Sequence, residues 1–185
     1  MESQRLKVHR RNVYLDGQVF TVLSPRPDEA PLLSVDPDAE SARISSDQRA
    51  ASQLGQLCWA MAFQRSDRTF VAIEAPGTAV VVVNTDLATP SAAALEELRP
   101  LLPWTTESEG TVVLNTRSLE TAMADEPAFY LQQKKDGIGH IKHLHRLVKD
   151  AAGLLVIGAP TVVLKSWAVQ LSTPDDQRPT WFAVT

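Results

Sequence analysis

Between Asn12 and Leu23, apolar and polar residues alternate on either side of Asp16-Gly17, in the order NVYL, DG, QVFTVL. An Asp-Gly pair between two β-prone runs signals a hairpin, because both central residues of a type I′ turn need positive φ. The pattern therefore predicts a β-hairpin over Asn12–Leu23. From Ser24 to Ser45 the apolar positions thin out: Pro25, Pro27, Pro31 and Pro37 stand among Asp, Glu and Ser, and only Leu32, Leu33 and Val35 form an apolar island. That composition predicts a long connecting arm with at most one short edge strand.

The period changes at Ser46. Ala50, Ala51, Leu54, Leu57, Cys58, Met61 and Ala62 recur at spacings of three and four, which predicts a buried helix over Ser46–Phe63, with Ser45 and Gln48 placed for a capping box. Thr69–Ala75 and Thr78–Thr85 flank Pro76-Gly77 and read as adjacent strands, the all-apolar run Val80–Val83 marking the second as interior. Pro90 opens a short helix, Ala92–Leu98, which Pro100 and Pro103 close. Thr111–Thr116 reads as a strand, and Ser118–Ala124, Pro127–Lys135 and Ile138–Ala152 read as helices. Leu154–Ile157, Val162–Leu171 and Trp181–Val184 read as strands. Hairpin-type strand pairs outnumber strand-helix-strand units, so the expected fold is α+β. It is a single domain with a mixed or mostly antiparallel sheet, a central buried helix and the N-terminal β-hairpin. Within it, residues 1–23 are the N-terminal strand and hairpin, 24–45 the Pro-rich connecting arm, and 46–185 the α+β body.

Length and composition agree with that reading. A chain of 185 residues, 44% hydrophobic, suffices for one independently folding core. Its single cysteine, Cys58, excludes an internal disulfide framework and a multi-cysteine zinc site, and fits a reducing compartment. The first residues, MESQRLKVHRRN, contain no apolar core of a signal peptide, and no apolar run approaches the roughly 18 residues of a membrane span. The expected setting is the cytoplasm, away from membranes. Cys58 falls in the apolar stripe of the first long helix, which predicts a buried, unreactive thiol.

Charge changes the picture more. The chain carries a net −4, yet Arg5, Lys7, Arg10 and Arg11 cluster without an acid, and Lys134, Lys135, Lys142, Arg146 and Lys149 face one acid, Asp136. The rest of the chain is therefore strongly acidic, and the two basic stretches are where an anion or an acidic partner would be attracted. On a helix over Ile138–Ala152, Lys142, Arg146 and Lys149 fall within about 60° of arc and form a basic ridge. Ahead of them, Lys134 and Lys135 precede Gly137 and Gly139, whose backbone freedom next to a helix N-terminus suits an anion.

Three histidines in six residues, His140, His143 and His145, invite a metal reading, but at about 100° per residue His140 and His145 lie about 140° apart and His143 and His145 about 160° apart. One ion cannot meet all three, so no metal and no other cofactor is expected. Serine-hydrolase, Walker and dinucleotide signatures are absent, and Pro76 stands where a PD-(D/E)xK nuclease would place its lysine after Glu74. Trp59 and Trp167 read as core. Trp104, in PLLPW, reads as partly exposed beside Leu101 and Leu102.

These features favour a non-catalytic binding or accessory module that contacts a protein partner or phosphate-bearing ligand through Lys134, Lys135, Gly137, Gly139, Lys142, Arg146 and Lys149. The alternative is a phosphate-handling enzyme acting on a nucleotide or phosphoester, with His140 and His143 as acid-base groups. A two-stranded ribbon cannot bury Val13, Leu15, Val19, Phe20 and Val22 by itself, so a homodimer is also expected.

Overall fold

The structure, a computed structural model, describes residues 6–26, 30–31, 33–37, 42–87, 89–102, 104, 108–135, 147–173 and 181–184. The N-terminal hairpin is present. Strand β1 (Lys7–Leu15) turns at Asp16-Gly17, both at positive φ (46° and 71°), into β2 (Gln18–Pro25). The turn is docked: the Asp16 backbone N–H donates to Glu97 (2.7 Å), and the Ser91 hydroxyl donates to the Asp16 carboxylate (2.6 Å).

After β3 (Leu33–Pro37) and β4 (Ala42–Ser46), the chain enters helix α1 (Gln48–Ala62), capped by Asp47, whose carboxylate accepts from the Ala50 N–H at 2.7 Å. There follow β5 (Thr69–Ala75), β6 (Thr78–Asn84), α2 (Ala92–Leu98) with the 3₁₀ turn Arg99–Leu101, and β7 (Gly110–Val113). Then come α3 (Arg117–Ala124), α4 (Glu126–Lys135), β8 (Leu147–Ala151), β9 (Leu154–Ala159), α5 (Thr161–Ser172) and β10 (Trp181–Val184). Seven strands form a mixed sheet in the order β7-β1-β2-β5-β6-β9-β8, with β2·β5 and β6·β9 parallel and the other pairs antiparallel. Three more form a small antiparallel sheet, β10-β4-β3. The fold is α+β, as the alternation of patterns implied.

Because strand side chains alternate, the large sheet divides its apolar residues between two faces. Val71, Ile73, Val80, Val82, Leu155 and Ile157 pack under α1 and α5, with Leu33 and Ile44 of the small sheet joining that core. Phe20, Val22, Phe70, Ala72, Val81, Val83 and Val156 pack on the other face under Ala94, Leu95 and Leu98 of α2. Helices α1 and α5 approach so closely that a Cβ at Gly55 would stand 2.8 Å from the Ala168 carbonyl oxygen and 2.3 Å from Ser172 Oγ. At the end of β6, buried Asn84 donates to the Met61 carbonyl at the end of α1 (3.2 Å) and to Thr161 Oγ1 at the start of α5 (3.0 Å). Its carbonyl accepts from the Asp86 N–H (3.0 Å), and the Asp86 carboxylate caps the Thr161 N–H (2.8 Å). One strand end thus fixes both helices.

The structure departs from the sequence expectations at five places. The arm 24–45 contains two strands, because Pro37 sits at the end of an edge strand, where the missing N–H costs nothing, and because the third partner, β10, comes from the far end of the chain. Asp47, one residue before the helix, does the capping assigned to Ser45 and Gln48. Strand β7 is shorter than Thr111–Thr116, ending at Val113.

Val162–Leu171 is a helix and not a strand: Val163, Leu164, Trp167 and Ala168 are buried at spacings of one, three and four, a stripe obscured by β-branched Val162 and Val163. Most consequentially, the C-terminal part of the helix expected over Ile138–Ala152 is strand β8. It pairs with β9 through an Ala152-Gly153 turn at φ 56° and 71°, a two-residue hairpin with Ala where Asn or Asp is usual.

The hairpin's Leu15, Phe20 and Val22 are buried within this chain, since β2 lies beside β5 and α2 covers them, so the ribbon needs no second copy to bury them. Among the described residues, no helix is long and apolar enough to cross a membrane.

Gly55→Ala should lower unfolding free energy by about 1–3 kcal/mol in urea titrations, overpacking at the crossing outweighing the better helix propensity of Ala. A neutral or stabilising result would show that the crossing relaxes freely.

Candidate functional site

The expected anion site is only partly within the described residues. Lys134 and Lys135 end α4, both exposed, and neither has an acidic partner among the described residues. Their helix end is anchored by buried Gln133, whose side-chain carbonyl accepts from the Ser166 hydroxyl of α5 at 3.2 Å. With Glu126 in the first turn and the lysines in the last, α4 complements its own dipole.

Gly137, Gly139, His140, Lys142, His143 and Arg146 lie outside the described residues. Lys149 lies in β8, an outer strand of the large sheet, so its expected place on one helical ridge with Lys142 and Arg146 is corrected. A two-residue strand period replaces the helical wheel there. Among the described residues, no three His, Cys, Asp or Glu side chains are placed to hold a metal ion.

Cys58 is fully buried in α1, and burial pushes its thiol up to about 12. The neutral thiol is the form the core holds, so stability from this group is complete below the ordinary pKa of 9.0 and is lost as pH rises towards about 12. Alkaline unfolding of the wild type should therefore include a fall in stability above pH 9 that Cys58→Ala lacks, and the native thiol should resist disulfide reagents at pH 8 until the protein unfolds. Rapid labelling under native conditions would contradict the burial.

A different polar cluster lies at one end of the sheet's α2 face. Val13 and Leu15 of β1 face the α2 core, and the same two-residue period turns Arg11 inward. Arg11 is buried, at 7% exposure, and its Nη1 donates to Ser24 Oγ at 2.6 Å. Its guanidinium carbon stands 4.7 Å from the centre of the Trp104 ring, a cation–π stack that excludes water from one face of the cation. Burial lowers the Arg11 pKa, and the nearby Glu74 carboxylate works against that shift, so the guanidinium remains a cation. Glu74, exposed near the end of β5, accepts the Trp104 backbone N–H at 3.1 Å. Arg11, Ser24, Glu74 and Trp104 thus come from four separate segments and clamp the chain after the 3₁₀ turn onto the sheet.

Beside them opens a cleft of about 310 Å³, lined by Glu74, Gly77, Thr78, Ala79, Arg99 and Leu102. Glu74 and Trp104 stood out in the sequence singly. Arg11 was read as part of a basic stretch that would attract an anion or an acidic partner, whereas the hairpin register places it on the inward face. Compared with protein-family models, with curated proteins and with solved structures, the chain matches none.

Arg11→Leu should cost about 1–3 kcal/mol, since Ser24 loses its donor and Glu74 its neighbouring cation. It should also raise acrylamide quenching of tryptophan emission as Trp104 leaves the stack. Unchanged stability and quenching would show that the clamp does not hold.

Proposed function

We propose that this chain is a non-catalytic binding module of the cytoplasm that takes a phosphate-bearing ligand or an acidic partner on the basic surface at the end of α4. The supporting observation is the pair Lys134 and Lys135, exposed side by side on a helix end that Gln133 and Ser166 hold in place, without an acidic partner among the described residues. Two adjacent, exposed ammonium groups on an anchored support attract a dianion, and the net acidity of the chain confines that attraction to the basic stretches. The lone, buried Cys58 fits a reducing compartment. Self-association belongs to the same reading through Tyr14 and Val19, a cross-strand pair exposed at 70% and 53% on the hairpin, and light scattering at micromolar concentration separates a dimer from a monomer.

Thermal-shift titration with nucleotides and phosphorylated metabolites tests the binding surface. A ligand at 100 times its dissociation constant should stabilise the wild type by about 2.7 kcal/mol. Lys134→Glu/Lys135→Glu should abolish that stabilisation while itself costing about 1–2 kcal/mol at the helix end. A ligand that stabilises both proteins equally, or a full panel that shifts neither, overturns the assignment of the surface.

A further inference from the structure

The cleft beside the Arg11 clamp holds two opposite charges that do not neutralise each other. Glu74 stands on one wall, fixed by the Trp104 N–H and by the neighbouring Arg11 cation. Arg99, in the 3₁₀ turn, stands on another, partly buried, its Nε only 3.5 Å from where a Cβ at Gly153 would lie. No ion pair joins Glu74 to Arg99, and among the described residues the Arg99 side chain has no hydrogen-bonding or ionic partner. A partly buried arginine left unpaired across a cavity from a carboxylate presents complementary groups to a ligand that carries both charges. Between them, Ala79 and Leu102 supply apolar lining, and the Thr78 hydroxyl is already committed to the Gly153 carbonyl at 3.0 Å. The cleft's volume of about 310 Å³ lies at the lower end of small-molecule sites and suits a small ligand.

We propose that this cleft binds a small zwitterion of the amino-acid class, its carboxylate on Arg99, its ammonium on Glu74 and an aliphatic side chain against Leu102. The planar guanidinium offers two parallel N–H donors to a carboxylate, and Glu74 offers the free oxygen of a carboxylate whose other oxygen is held by the backbone. Gly77, at φ 79° with open space where a side chain would stand, keeps the mouth of the cleft clear. The site is separate from the end of α4 and requires nothing of the proposal made for that surface.

Titration calorimetry and amide NMR shifts with L-leucine, leucine amide and N-acetylleucine test it on the full chain. L-leucine should bind saturably and perturb amides of β5, β6 and the 3₁₀ turn, while removing either charge from the ligand should weaken binding at least tenfold. Arg99→Gln, on a surface turn outside the Arg11 clamp, should weaken L-leucine at least tenfold with an unchanged melting temperature, and should leave leucine amide no weaker than it is for wild type. The Lys134→Glu/Lys135→Glu protein should bind L-leucine as wild type does, so failure of one site is distinguishable from failure of the other. Absence of saturable L-leucine binding overturns the proposal. So does equal binding of all three probes, or an Arg99→Gln protein that binds L-leucine normally.

Discussion

Helices α1 and α5 meet at Gly55, where nothing larger than hydrogen fits against the Ala168 carbonyl and Ser172. Everything on that face of the large sheet depends on the approach. With the two helices in contact, Leu54, Leu57, Met61, Leu164 and Ala168 all reach the central strands and are excluded from water. Were the helices spread by a methyl group, the close packing that gives such a core its dispersion energy would be lost along the whole seam. Asn84 makes the approach directional as well as close, because its single amide joins the end of one helix to the start of the other. The buried amide is satisfied at both its nitrogen and its oxygen, the condition under which a polar group can sit in an apolar layer without penalty.

The opposite face is organised by charge as well as by apolar contact. Its core ends where Val13 gives way to Arg11 along β1, and the cation is accommodated by the Trp104 ring, the Ser24 hydroxyl and the Glu74 carboxylate. Arginine suits this place better than lysine, since a flat, weakly hydrated guanidinium stacks on an indole and still donates in its own plane. The clamp holds down the segment after α2, and that segment forms one side of the cleft. One wall of the cleft thus continues a segment that a cation on the N-terminal hairpin, distant in sequence, helps to hold.

Local signals in the sequence carried most of the elements. Asp16-Gly17 placed the hairpin, the 3.6-residue stripe from Ala50 to Ala62 placed α1, and Val80–Val83 marked β6 as interior. What failed did so where a local pattern has two readings. Val162 and Val163 favour a strand by propensity, and only burial against α1 selects the helix. Leu147–Ala151 has the apolar spacing of a helix end, but pairing with β9 across a turn built from Ala152 and Gly153 makes it a strand. The histidine-rich segment drew attention by its composition, whereas the Arg11 cluster is assembled from positions 11, 24, 74 and 104, brought together by the order of β1, β2 and β5 and by the return of the chain after the 3₁₀ turn. No spacing rule along a single chain could have brought those four together.

The small sheet has an order of assembly written into it. Its middle strand is β4, flanked by β3 from a few residues upstream and by β10 from residues 181–184. During synthesis β3 and β4 can pair as soon as they emerge, but the other side of β4 presents unpaired backbone donors and acceptors until residues 181–184 have been made. Such an open edge is a template for the wrong strand, including one from a neighbouring nascent chain.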